Sequence, residues 1–182
     1  MHSPTTQELA LAHTDAVKDI VLQAGKEILQ VYNTEFAVQT KQDESPLTQA
    51  DLAAHQVIVA GLQQLTPGIP IISEESELPA FSERSQWQRY WLVDPLDGTK
   101  EFVSRNGEFT VNIALIEENA PALGWVGVPV QGRLFFGNAL AGEAWVEDST
   151  GRRPLRGKAR QPDDEKLTVV ASRNHGGQRL ED

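Results

Sequence analysis

The chain of 182 residues carries 16 Lys and Arg against 26 Asp and Glu, a formal charge of −10, with 40% hydrophobic residues and no cysteine. That length buries a sizeable core in one large domain or one domain plus a fragment, and the composition is that of a globular protein rather than a disordered one. These residues exclude disulfides, thiolate-held zinc, iron–sulfur clusters and thiol catalysis, and the acidic balance argues against a binder of nucleic-acid polymers, which would present a basic face to phosphates.

An acidic chain can still take an anionic substrate where metal ions invert the local charge. No apolar run approaches the roughly 20 residues that cross a bilayer. The N-terminus MHSPTTQELA has neither the basic flank nor the apolar stretch of a signal peptide. The expectation is a soluble protein of the cytoplasm without a transmembrane segment, peripheral contact with the inner membrane being left open.

From Gln7 to about Tyr32 no proline occurs, and Leu9, Ala12, Ala16, Ile20, Ala24, Ile28 and Val31 recur at steps of three and four, which predicts one long helix. Phe36–Thr40 reads as a short strand and Lys41–Leu47 as a polar loop. Thr48 opens a second helix with Leu52, His55, Val59 and Leu62 on one side, closed by Pro67-Gly68. Ile69–Ile72 is a short apolar strand running into Ser73-Glu74-Glu75-Ser76. After a loop from Glu77 to Gln88, Arg89–Val93 reads as a buried strand halted by Asp94-Pro95, and Gly98–Phe102 as one helical turn. Phe109–Glu117, Ala122–Val128, Arg133–Gly137 and Glu143–Glu147 follow with short turns between them, the texture of an antiparallel meander. The predicted class is α+β, two N-terminal helices packed on a largely antiparallel sheet. Residues 1–148 form this lobe in the prediction, 149–166 a polar linker, and 167–182 the start of a second α/β lobe, with Leu167–Ala171 as its first strand.

The densest chemistry lies in Asp94-Pro95-Leu96-Asp97-Gly98-Thr99. Two carboxylates three residues apart on a sharp turn can face one point, and the Leu96 carbonyl between them is left without a ladder partner. Gly98 lets the backbone come close, and Thr99 adds a hydroxyl at a helix start. Hard oxygen ligands beside an anion cradle suit Mg²⁺ and a phosphate. Asp before Pro, and Asp-Gly, are also common turn formers, so the hexapeptide alone reads equally as a capped turn.

Glu74 and Glu75 form a second candidate, delivered by a strand that would send them to opposite sides, so at most one joins a shared metal cluster. Asp51 is the third. Thr48-Gln49-Ala50-Asp51 fits a capping box, and a carboxylate at a helix N-terminus can also orient or deprotonate a water. His2, His13, His55 and His175 show no ligand spacing. Gly151 to Gly157-Lys158 fails as a phosphate loop in spacing and in Ala159. The basic cluster Arg152, Arg153, Arg156, Lys158 and Arg160 reads as a solvated linker, and Trp87, Trp91, Trp125 and Trp145 as core.

Four stretches, SPLTQADLAAHQVI from Ser45, ISEES from Ile72, WLVDPLDGTKEF from Trp91 and NGEFTVNIAL from Asn106, together resemble the inositol monophosphatase superfamily. Within it the sequence is most similar to the CysQ-type branch of 3′(2′),5′-bisphosphate nucleotidases. The resemblance implies a sugar-phosphatase-like N-terminal lobe with metal ligands at Glu74, Asp94, the Leu96 carbonyl and Asp97. It implies that Asp51 and Thr99 orient and activate the attacking water, with Glu74 assisting. Glu74, Leu96, Asp97, Gly98 and Thr99 would surround the substrate, the backbone of Gly98 and Thr99 holding the scissile phosphate. The implied cofactor is two or three Mg²⁺ ions, with Li⁺ as inhibitor. The implied reaction takes the 3′-phosphate from adenosine 3′,5′-bisphosphate to leave AMP, with the sulfated analogue as a second substrate and a homodimer as the assembly. Family members carry a WDxAA-type motif in a second lobe, and no WD pair occurs in this sequence, so one metal ligand and most of the nucleoside pocket are expected to lie outside it. A non-catalytic metal-binding or interaction protein, and an inositol or sugar phosphatase, remain as alternatives.

Overall fold

The computed structural model describes residues 5–40 and 46–157. Helix α1 spans Thr6–Tyr32 and is opened by a capping box, Thr5 accepting from the Glu8 N–H while the Glu8 carboxylate accepts from the Thr5 N–H at 2.7 Å. A hairpin of β1 (Val38–Thr40) and β2 (Pro46–Thr48) leads into α2 (Gln49–Leu65), then β3 (Ile71–Ser73) and a single turn, α3 (Phe81–Arg84). β4 (Arg89–Asp97) and the short α4 (Thr99–Val103) precede β5 (Thr110–Glu117), β6 (Ala120–Val128), a 3-10 turn at Pro129–Gln131, β7 (Arg133–Asn138), β8 (Glu143–Asp148) and β9 (Gly151–Pro154).

The strands from β3 to β9 form one seven-stranded sheet in sequence order, β3 parallel to β4 and every later pair antiparallel. Helices α1 and α2 pack on each other and together cover one face, α1 over β5 and β6 and α2 over β4. The fold is α+β, and the meander is as the turn spacing predicts.

The core lies between helices and sheet. Val17, Val21, Ala24 and Ile28 line the buried side of α1, and Ala50, Ala54, Ile58 and Leu62 that of α2. Opposite them, alternate residues of the strands point inward, among them Trp91, Ile113, Leu115, Trp125 and Phe136. Trp125 packs between the tilted rings of Trp91 at 5.9 Å and Phe136 at 5.1 Å, and its indole N–H donates to the Thr14 carbonyl at 3.2 Å. Trp91 donates to the Thr66 hydroxyl at 2.9 Å, joining the end of α2 to the sheet.

The buried line on α1 keeps the expected Ala24 and Ile28 but takes in Val17 and Val21 over the earlier turns, while Ile20 is partly buried and packs against Gly61 of α2. Two glycines make both contacts possible. A Cβ on Gly61 would lie 2.7 Å from Ile20 Cδ1, and one on Gly127 would lie 2.5 Å from Val21 Cγ1. The Ile20 terminal methyl can rotate away, whereas the Val21 branch is stiff. Gly127→Ala should therefore destabilise the fold by about 1–3 kcal/mol through overpacking, and Gly61→Ala by less, as read from urea unfolding of the two variants.

Several boundaries differ from the expectation: β3 takes Ile71–Ser73 rather than Ile69–Ile72, and the loop predicted from Glu77 to Gln88 contains the single turn α3. The loop predicted at Lys41–Leu47 gives its last residues to β2, whose partner strand is β1; Phe36 lies outside that strand and packs on Phe102 at 4.8 Å. β4 does not halt at Asp94-Pro95 but continues to Asp97, because the proline sits in a register break between Asp94 and Asp97 where no ladder bond is asked of it. Residues 151–154, read as linker, form β9: Gly151 takes φ 107° to turn the chain, and Arg152 and Arg153 pair with Glu147 and Asp148 across the hairpin at 2.7 and 2.8 Å. Arg152 also lies over the Trp145 ring, so part of the basic cluster is a packed edge. The rest of the predicted linker and the strand Leu167–Ala171 lie outside the described residues.

Candidate functional site

The parallel pair β3–β4 and the start of α2 bring three chain segments to one corner. Ser73 is registered beside Val93, and the Glu74 N–H donates to the Val93 carbonyl at 3.1 Å, which sets Glu74 next to Asp94. The strand ends there: the Ser76 N–H closes a turn on the Ser73 carbonyl at 3.1 Å, so Glu74 and Glu75 sit in a turn rather than alternating along a strand.

Asp94 is the electrostatic centre of the corner. Its Oδ1 is buried and has no hydrogen-bond partner. Burial is the largest influence on its carboxyl, followed by the charges of Glu74 and Asp97 and by a hydrogen-bonding contact with Glu74; together they push its pKa from the ordinary 3.8 up to about 7, against a smaller opposing pull from the Leu96 N–H. An orphaned carboxylate oxygen crowded by like charges is the environment a cation relieves. The donors at hand, three carboxylates and the Leu96 carbonyl, are hard oxygens that suit Mg²⁺. Among the described residues no three His, Asp or Glu side chains already stand as a metal shell.

Asp51 sits at the first turn of α2 and is 1% exposed. Its Oδ2 accepts from the Thr48 N–H at 2.7 Å and from the Thr48 hydroxyl at 2.6 Å, completing the capping box. Its Oδ1 turns the other way and accepts from the Thr99 hydroxyl at 3.2 Å, while that hydroxyl also lies 3.3 Å from the Leu96 carbonyl. The cap and the site are thus two ends of one carboxylate. Gly98 joins β4 to α4 at φ 92°, where a Cβ would lie 3.1 Å from the Glu108 carbonyl oxygen. Only glycine turns the chain there without strain, and the first-turn N–H groups of α4 follow directly.

The structure thus brings Asp51, Glu74, Asp94, Leu96, Asp97, Gly98 and Thr99 to one place. It also places a residue there to which the sequence reading gave no role. Asn112 stands opposite Asp94 on β5, donates its amide to Asp97 Oδ2 at 3.0 Å, and leaves its own Oδ1 buried without a partner. No local signal marks it: a polar residue between Val111 and Ile113, on the sheet face away from the helices, is what ordinary strand alternation produces. The corner opens onto a shallow groove of about 540 Å³ on that face, floored by Leu92, Ala114, Gly124 and Val126. His13 stays on α1 in a separate pocket near Arg89 and Glu117. Among the described residues no helix is long and apolar enough to cross a membrane.

Comparison with known proteins follows the same lines. Residues 11–182 match the family model described as the inositol monophosphatase family. The chain is 50% identical over 165 residues to the 3′(2′),5′-bisphosphate nucleotidase CysQ of Salmonella typhimurium, covering 88% of this chain and 63% of the relative. It is 46% identical over 170 residues to CysQ of Escherichia coli K12, covering 92% and 66%. The chain therefore spans just under two thirds of the length of these curated relatives. Among solved structures, CysQ from Bacteroides thetaiotaomicron, described as a bacterial member of the inositol monophosphatase family, superposes with a TM-score of 0.65 at 34% identity over 93% of this chain and 66% of that one. The extragenic suppressor protein suhB of Bartonella henselae superposes with a TM-score of 0.70 at 28% identity over 82% and 55%. With a family model covering nearly the whole chain and relatives at half identity, the chain belongs to the inositol monophosphatase family.

Proposed function

We propose that this chain supplies the acidic half of a Mg²⁺-dependent phosphomonoesterase that removes the 3′-phosphate of adenosine 3′,5′-bisphosphate to give AMP. The observation that carries the reading is the buried, unpartnered Oδ1 of Asp94 between the charges of Glu74 and Asp97. Glu74, Asp94, Asp97 and the Leu96 carbonyl would hold the metal, with further oxygens from outside the described residues. Bound Mg²⁺ would neutralise the phosphoryl oxygens, stabilise the leaving alkoxide and lower the pKa of the attacking water.

The chain's own groups do the rest. The Thr99 hydroxyl has one proton to give; donating it to Asp51 Oδ1 leaves a lone pair to accept from a water, which fixes that water's orientation and draws its proton toward Asp51. Thr48 donates twice to the other oxygen of Asp51, which fixes how the carboxylate is turned toward Thr99. At Gly98 the missing side chain allows a phosphate to approach the N–H groups of Gly98 and Thr99 at the start of α4. The names of the CysQ relatives, 3′(2′),5′-bisphosphate nucleotidases, support a nucleotide bisphosphate over an inositol phosphate as the substrate.

The test is phosphate release by the purified chain from adenosine 3′,5′-bisphosphate and from inositol monophosphate, with and without Mg²⁺, beside Asp94→Asn. The expected result is Mg²⁺-dependent release that favours the nucleotide and falls at least ~100-fold in the variant. Release that is indifferent to Mg²⁺, or a variant as active as the parent, would overturn the reading.

A further inference from the structure

We propose that His55 is a positioning residue for Glu74, acting through the Ser73 hydroxyl; the inference rests on the reading of Glu74 as a metal-holding carboxylate. His55 Nδ1 and Ser73 Oγ are 2.9 Å apart, with Ser73 4% exposed and the imidazole half-buried. One of the two groups donates to the other, and in either tautomer the hydroxyl is tied to α2. The tie matters because of where β3 lies. Among the described residues it is an edge strand of three residues, bonded to β4 on one side only, and Glu74 follows it directly. The ladder bond from Glu74 N–H to Val93 holds the backbone against β4, but nothing in that ladder fixes how far the strand end tilts toward the helices. The His55–Ser73 bond supplies that second point of attachment.

The helix that provides it is the one that carries Asp51. Positions 51 and 55 are one turn apart on the same face of α2. Asp51 reaches the β4–α4 turn through Thr99, and His55 reaches the end of β3 through Ser73. One rigid element therefore sets the spacing between the two acidic segments, Glu74 on one side and Asp94–Asp97 on the other. Outer groups that orient a ligating side chain are worth a measurable share of metal affinity.

The experiment is Mn²⁺ binding to the purified chain, followed by electron paramagnetic resonance, with thermal unfolding of each metal-free variant alongside. His55→Ala and Ser73→Ala should each weaken Mn²⁺ binding about 10-fold, and the double variant should be no worse than either single one. His55→Asn, whose amide can occupy the Nδ1 position, should restore most of the affinity. Melting temperatures of the metal-free variants should not follow this order, which separates positioning from general loosening of the fold. Glu74→Gln distinguishes the two levels of the argument. If Glu74→Gln weakens binding and His55→Ala does not, or if His55→Asn is as weak as His55→Ala, the positioning role is wrong while the site stands. If Glu74→Gln has no effect, the reading of the site fails and the inference falls with it.

Discussion

Asp94→Asn should make the metal-free protein more stable at pH 8 while removing its response to Mg²⁺. In the folded chain burial and the neighbouring Glu74 and Asp97 raise the Asp94 pKa to about 7, whereas in the unfolded chain it returns to its ordinary value near 3.8. Below about pH 4 both states hold the proton and Asp94 costs the fold nothing. Between there and about pH 7 the unfolded chain releases the proton first, so stability falls as pH rises, and above that the folded state carries the whole penalty of a crowded charge. Asparagine keeps the shape and removes the charge. The shift must be discounted because the group is part exposed and screened, which leaves a gain of about 1–2 kcal/mol, or roughly 3–6 °C in Tm, at pH 8. At pH 4 the two proteins should melt together. Thermal unfolding of both at the two pH values is the check; a variant less stable than the parent at pH 8 would contradict the electrostatic account of the corner.

Trp125→Ala should be the most damaging single core truncation. The indole is 1% exposed, lies between Trp91 and Phe136, and holds α1 to β6 through its hydrogen bond to Thr14. Removing it opens a large cavity and breaks the tie between α1 and β6, at a cost of about 3–5 kcal/mol. For a chain of this size the melting temperature should fall by roughly 10 °C or more. Trp145, half-buried and stacked on Phe136 near the sheet edge, should cost clearly less when truncated. Equal losses at the two positions would mean that the core is not centred where α1 crosses β6.

The reason so much of the site was legible is that its chemistry sits on local motifs. Asp94 to Thr99 is one continuous turn, and Thr48 to Asp51 is a capping box readable from spacing alone. What the sequence could not supply were relations across the fold. Nothing in the spacing of Asp51 and Thr99 shows that one carboxylate serves both cap and hydroxyl. Asn112 was hidden because its meaning depends on register, standing opposite Asp94 and reaching Asp97. His55 read as an ordinary helix residue, since the hydroxyl it meets lies on another element. On the fold side, the meander was predictable from alternation and turns, whereas the burial of Val21 and the seat of Ile20 depended on Gly127 and Gly61, whose missing side chains let them approach. The proline in β4 misled for a physical reason: it forbids a ladder bond, but a register break makes none necessary there.

The measurement that bears most directly on the central claim is calorimetric titration of Mg²⁺ into the chain and into Asp94→Asn at pH 8. The account predicts saturable binding by the parent, with a melting temperature that climbs with Mg²⁺ as mass action requires, and loss of both in the variant. Equal binding by parent and variant, or a parent that remains folded and binds no Mg²⁺, would contradict it.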